Sequence, residues 1–315
     1  PYLDGYRAIF IRSTAARVNA LQAGEVLAEF RGHSPADRDK LVKALGDKIV
    51  VHESPWICSL VVAFNTEKKP FDDVKVRQAI SYAVDKTAVQ NGTGGTMLAD
   101  LASTTIPASV AGYKEFDLYP SEGNTGDVEK AKELLADAGY ADGFDMVLDM
   151  RTQPKLQAQA EAVQQSLARV GIKVTFNPID TSTFYETIGT PKLQNDAAIT
   201  GWCPDWASSA STVIPPLFDG DRITEKGNSN LAQLDDPEIN AAIDEALTVT
   251  DPVVANQDWG NLDELTLMMA PIVPLLVEKV VLLPGENVTG IYSSPGVATG
   301  GLDYTGVGLK DASKG

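Results

Sequence analysis

Apolar positions in this chain follow two rhythms that alternate along its length. "YRAIFI" (6–11), "EVLAEF" (25–30) and "KIVVHE" (48–53) read as strands. Between them, "STAARVNALQAG" and "SPADRDKLVKALG" read as helices, the first stopping at Gly24 and the second capped by Ser34. "FNTEKKPFDDVKVRQAISYAVDK" (64–86) then gives a strand end, a turn and a helix. Val76, Ala79, Ile80, Ala83 and Val84 share one face of that helix, and Asp72 or Asp73 is its N-cap. "DVEKAKELLADAGY" predicts a helix from the cap Asp127 to the stop at Gly139, with Ala131, Leu134, Leu135 and Ala138 as its stripe. "FDMVLDM", "PKLQAQAEAVQQSLARVG" and "IKVTFNPI" follow as strand, helix and strand, the order of a parallel crossover unit. The strand "DAAITGW" (196–202) runs into a Trp- and Ser-rich loop, and "DDPEINAAIDEALTVTD" and "NQDWGNLDELTLMMA" are further amphipathic helices. "APIVPLLVEKVVLLP" (270–284) is the longest apolar run; three prolines and a Glu-Lys pair make it too short and too interrupted to cross a bilayer, and it reads as buried strands.

The fold class is therefore α/β. With 315 residues, 43% of them hydrophobic, the chain can bury the core of one large domain or two ordinary ones. The net charge of -17 opposes nucleic acid as a partner. The chain opens at Pro1 with neither an initiator Met nor a signal peptide, which suggests an internal start, as in a fragment. Its two cysteines, Cys58 and Cys203, fit either buried free thiols or a disulfide formed in an oxidising compartment, and spacing alone leaves both open. Neither His33 nor His52 belongs to a metal-binding helix motif or a nucleophile arrangement, so no enzyme, metal or cofactor is expected. The turn at 65–73 precedes a helix N-terminus, a place where anions bind, but it carries its own carboxylates and lacks a glycine-rich loop, so it reads as scaffold.

The segment "FNTEKKPFDDVKVRQAISYAVDK" also resembles the most recognisable stretch of family 5 solute-binding proteins, the receptors of ABC importers for peptides, nickel and related solutes. "PYLDGYRAIFIRSTAARVNALQAGEV", "GDVEKAKELLADAGYADG" and "GWCPDW" are similar to further segments of that family, in family order and over residues 1 to about 285. The resemblance implies a two-lobed, periplasmic-binding-protein-like class II fold that closes on its ligand. It assigns residues 1–57 to a remnant of lobe I, 58–270 to a complete lobe II, and 271–315 to a return into lobe I. It further implies an extracytoplasmic monomer, periplasmic or lipid-anchored, that captures oligopeptides in water-filled pockets accepting varied side chains and docks on a membrane permease. A disulfide between Cys58 and Cys203 is implied in the same way.

The resemblance places the ligand at the end of "DAAITGW". Asp205, between Trp202 and Trp206, matches the acidic residue that receives a peptide's α-ammonium; as a plain loop carboxylate it would instead accept nearby backbone N–H groups. Backbone around Trp202 and Cys203 is expected to pair with an extended peptide as an added strand. Phe184 and Tyr185 fall where the family has pocket walls, although ordinary helix packing would explain them equally. Arg151 fits either a ligand carboxylate or a surface position. Alternatives are a same-fold receptor for an oligosaccharide, which the tryptophans could stack upon, or for a metal chelate, and a peptide sensor without transport.

Overall fold

The computed structural model describes residues 2–29, 33–291 and 306–314. Helices α1 (Thr14–Ala23) and α2 (Pro35–Leu45) each start at a serine whose hydroxyl accepts a backbone N–H, Ser13 from Ala16 and Ser34 from Asp37. Gly24 closes α1 in the left-handed region at φ 72°, where a side chain would be strained. Strand β1 (His52–Phe64) leads through the turn into α3 (Val74–Ala83) and α4 (Lys86–Thr93). There follow β2 (Ala99–Leu101), α5 (Val128–Asp137), β3 (Asp145–Arg151), α6 (Pro154–Ala168), β4 (Lys173–Ile179), α7 (Phe184–Ile188) and β5 (Ala197–Trp202). Helices α8 (Ile214–Phe218), α9 (Pro237–Thr248) and α10 (Pro252–Met268) precede β6 (Ile272–Leu282), and β7 (Val288–Thr289) pairs with β8 (Gly308–Leu309). No helix among the described residues is long and apolar enough to cross a membrane.

Six strands form one mixed sheet in the order β2-β6-β1-β5-β3-β4. β1 runs antiparallel to both of its neighbours, while β3 is parallel to β4 and β5. The period-2 alternation of β1 separates two cores. Leu60, Val62 and Phe64 point to one face, with Phe71, Ile80, Leu148 and Leu275; Ile57, Val61 and Ala63 point to the other, with Phe218, Ile243 and Trp259. A smaller cluster of Val18, Leu21, Leu41, Ile49 and Leu283 holds α1 and α2.

The turn before α3 is built from internal bonds. Asp73 caps the helix by accepting the Lys75 N–H at 2.8 Å. Buried Arg77 donates to the carbonyls of Phe71 (2.6 Å) and Met269 (2.7 Å), fastening the turn to the end of α10. Lys68 donates to the Gln194 carbonyl at 2.6 Å.

Three expected strands are corrected. Residues 5–13 form no strand, and Phe10 is 98% exposed, because alternation makes a strand only where another edge supplies partners. Residues 25–29 are likewise irregular, and Phe30 lies outside the described residues. In "KIVVHE" only an isolated bridge from Ile49 to Gly285 precedes β1, which starts at His52. The run from Ala270 contains a single strand, β6, whose residues 272–276 lie beside β1 in the six-stranded sheet. Pro274 fits inside it because β2 pairs only with Leu276 to Glu278, so the lacking N–H interrupts no ladder on that edge.

Asp263 on α10 is wholly buried and accepts the backbone N–H groups of Thr105 (3.1 Å) and Ile106 (3.0 Å). Burial raises its carboxyl from 3.8 to about 6, against the opposing pull of those N–H groups; Glu264 nearby adds a small push in the same direction as burial. The folded-state value lies above the unfolded one, so this stability term is complete below 3.8 and is lost as pH rises through about 6. Melting curves between about pH 4 and pH 6 should therefore show a wild-type gain on acidification that is missing from Asp263→Asn. Parallel pH profiles for the two proteins would contradict it.

Candidate functional site

β5 is paired on one side along its whole length, with Thr200 opposite Val61 and Trp202 opposite Ser59. On the other side β3 meets it only at Ala197 and Ala198. The edge from Ile199 to Trp202 therefore has no strand partner among the described residues. Gly201 is required in this ladder, since a Cβ there would lie 2.3 Å from the Ser59 carbonyl oxygen.

Past the strand, Cys203 is disulfide-bonded to Cys58, which fastens the loop to β1. Trp202 is half-buried and its indole N–H donates to the Thr212 carbonyl at 2.7 Å. Trp206 is 47% exposed. Asp205 is exposed and makes no hydrogen bond or ion pair among the described residues. Its position between two tryptophans in the sequence does not shield Asp205 from water, because Thr212 engages the Trp202 indole and Trp206 stands in solvent. The plain-loop alternative, acceptance of a backbone N–H, is absent as well.

Arg151, at the end of β3, reaches the start of α7. Its guanidinium carbon lies 5.3 Å from the Phe184 ring centre and 5.4 Å from that of Tyr185. Phe184 is fully buried and Tyr185 is 55% exposed, so one ring anchors the arrangement and the other faces outward. The guanidinium forms no ion pair or hydrogen bond among the described residues, and its Nε is shielded from water without a partner. A cation held by rings alone keeps its fork of N–H donors free for a planar anion.

Tyr185 and Trp202 also line a pocket of about 180 Å³ against the sheet. Val61 and Ala63 of β1, Thr200 of β5, Ile188 of α7, Leu217 of α8, Ile272 of β6 and the loop 227–232 complete it. The Thr200 hydroxyl is buried and has no hydrogen-bond partner. The remaining expected residues, Arg151, Phe184, Cys203, Asp205 and Trp206, are outside the pocket wall. Sequence reading missed most of that wall. Alternation in β1 and β5 would have grouped Val61, Ala63 and Thr200, but nothing local connects them to Leu217 or to 227–232.

The wall is fixed from behind by Gln194. Its amide donates to the carbonyls of Ile188 (2.5 Å) and Leu231 (3.2 Å), and its oxygen accepts from Asn65 and Gln233, each at 3.2 Å. Asn228 donates its backbone N–H to the Gly189 carbonyl at 2.8 Å, closing the loop onto the end of α7.

With a mainly apolar recess, an open strand edge, an unpaired carboxylate and an unpaired guanidinium, the site is equipped to bind. The sequence description of "Bacterial extracellular solute-binding proteins, family 5 Middle" matches residues 1–224, and the chain belongs to that family. Glutathione-binding protein GsiB of Salmonella paratyphi A is 28% identical over 300 residues, 94% of this chain and 56% of that protein. Heme-binding protein A of Haemophilus influenzae is 32% identical over 244 residues, 72% of this chain and 41% of that one. The solved structure titled "Clavulanic acid biosynthesis oligopeptide binding protein 2" superposes with a TM-score of 0.87 at 30% identity, over 95% of this chain and 55% of its own. These relatives are binding proteins, and their fold is that of the class II periplasmic binding proteins. The chain spans about half the length of the curated relatives it matches.

The disulfide joins residues 145 apart, so it restricts the unfolded chain strongly. Replacing both cysteines by serine should lower the free energy of unfolding by up to about 5 kcal/mol. Urea titration checks this: a reductant should shift the wild-type midpoint towards that of the double variant and leave the variant unmoved.

Proposed function

We propose that the chain carries the ligand-capturing part of an extracytoplasmic receptor that binds oligopeptides and delivers them to the permease of an ABC transporter. The open edge of β5, flanked by an unpaired carboxylate and an unpaired guanidinium, carries this reading. An extended peptide is the ligand class that satisfies a bare strand edge and brings an ammonium and a carboxylate of its own. Relatives named for glutathione and for oligopeptides support a peptide, and the family's extracellular designation supports the location.

Residues 199–202 would hydrogen-bond to the peptide backbone, giving affinity that does not depend on its sequence. Asp205 would receive the ammonium and Arg151 the carboxylate, each by a charge-assisted hydrogen bond. Residues 58–270 would form lobe II, and residues 1–57 with the returning segment 271–315 would belong to lobe I. Closure of lobe I over the bound peptide would exclude water around Asp205, strengthening an attraction that is weak while the carboxylate is exposed.

The complete translation product of the gene, purified without added ligand and denatured, should release short peptides with free amino ends, read by mass spectrometry. Release of a single sugar or chelate with no peptides would keep the fold and overturn the ligand. Asp205→Ala should weaken free-amine peptides by about tenfold or more, the ~1.5–3 kcal/mol of a hydrogen bond to a charged group. N-acetylated peptides should be unaffected; equal losses for both would remove Asp205 from this role.

A further inference from the structure

The pocket beside β5 is unlike a hydrated recess that admits any side chain. Val61, Ala63, Ile188, Leu217, Leu231 and Ile272 give it mainly apolar walls, with the Thr200 hydroxyl and the side chains of Asn228 and Ser229 as polar groups in the lining. Its volume of about 180 Å³ is enough for one benzene-sized ring, which needs a cavity of roughly 150 Å³. Its mouth carries two half-open aromatic residues, Tyr185 and Trp202, and the first of these also bears the Arg151 guanidinium.

These walls are held apart by hydrogen bonds. Gln194 binds the carbonyls of Ile188 and Leu231 through one buried amide, and Asn228 ties the loop to Gly189. Gln233, which donates to the Gln194 side chain, sits at φ 55°, a backbone conformation that persists where the surroundings enforce it. A recess fixed in this way cannot shrink around a methyl group, so a small side chain would leave a void and forfeit its contacts. We infer that the pocket seats one ring-sized apolar side chain of the bound peptide and makes the receptor selective for peptides that carry one. This rests on the peptide-receptor reading and contradicts the unselective, water-filled pockets that the family resemblance implies.

Titration calorimetry on the complete, ligand-stripped protein tests it, with an alanine tripeptide as host and phenylalanine, leucine or alanine placed at each position in turn. At one position phenylalanine and leucine should bind about 10- to 100-fold tighter than alanine. Ala63→Leu, which puts a larger side chain into the recess, should reduce that preference to within about threefold. Leu217→Ala, at a half-buried position that tolerates truncation, should move the preference towards tryptophan. Equal affinity across the series, or an unchanged preference in both variants, would overturn the selectivity and leave the peptide receptor standing. Binding of no tripeptide in any form of the protein would overturn the receptor reading and this inference together.

Discussion

β1 is the constraint on which everything else depends. It is the strand that two long antiparallel neighbours share, and its alternation decides which residues belong to which core. A shift of its register by a single residue would turn Leu60, Val62 and Phe64 towards the pocket side and Val61 and Ala63 away from it. The ladder with β5 prevents this, since Gly201 permits the Ser59 carbonyl to approach more closely than any side chain would allow. The disulfide from Cys58 then fixes the site loop to the same strand. Core, strand edge and loop are three consequences of one register.

The charges of the site belong to a different layer of organisation. Most carboxylates of the protein are on the surface, and several are paired or cap helices, as Asp73, Asp127 and Asp236 do. Asp205 is one of several exposed carboxylates without an ion pair among the described residues, whereas Arg151 lies against two aromatic rings with no opposite charge beside it. A protein of net charge -17 that leaves a guanidinium unmatched, gripped between two rings, keeps a local positive region in an otherwise negative field.

Much of the fold could be read from the chain. Helix starts at Ser34 and Asp127, and at one of Asp72 and Asp73, were legible because a capping side chain is a local signal, as was the unit β3-α6-β4, whose strands and helix have clear periods. α4 and β2 were not legible. Lys86, Gln90 and Thr93 are polar residues that this fold buries, so the apolar stripe is incomplete, and β2 is only three residues long. "YRAIFI" failed in the opposite sense, having the pattern of a strand with no neighbour to pair with. In the site, the resemblance around Trp202 anticipated the bond between Cys58 and Cys203, whereas the pocket was invisible because its wall gathers apolar residues from distant segments. Gln194 was hidden for a related reason: a glutamine in a loop acquires its importance only when four distant groups converge on it.

β1 and β6 also extend together beyond the cores, from the pairing of Ser59 with Val277 to that of His52 with Leu282. The register slips between Pro55 and Ser59, where two extra residues on β1 interrupt the ladder, and it slips again between Leu60 and Val61. Past those bulges the ribbon continues towards the cluster formed by Ile49 and Leu283 with α1 and α2. A ribbon two strands wide resists shear and stretching in its own plane but bends easily out of it, and most easily where its ladder is broken. Mechanically, the weakest line of that ribbon lies across the bulges beside the disulfide, and a second support for α2 comes from Pro35, which packs against Gly94 at the end of α4.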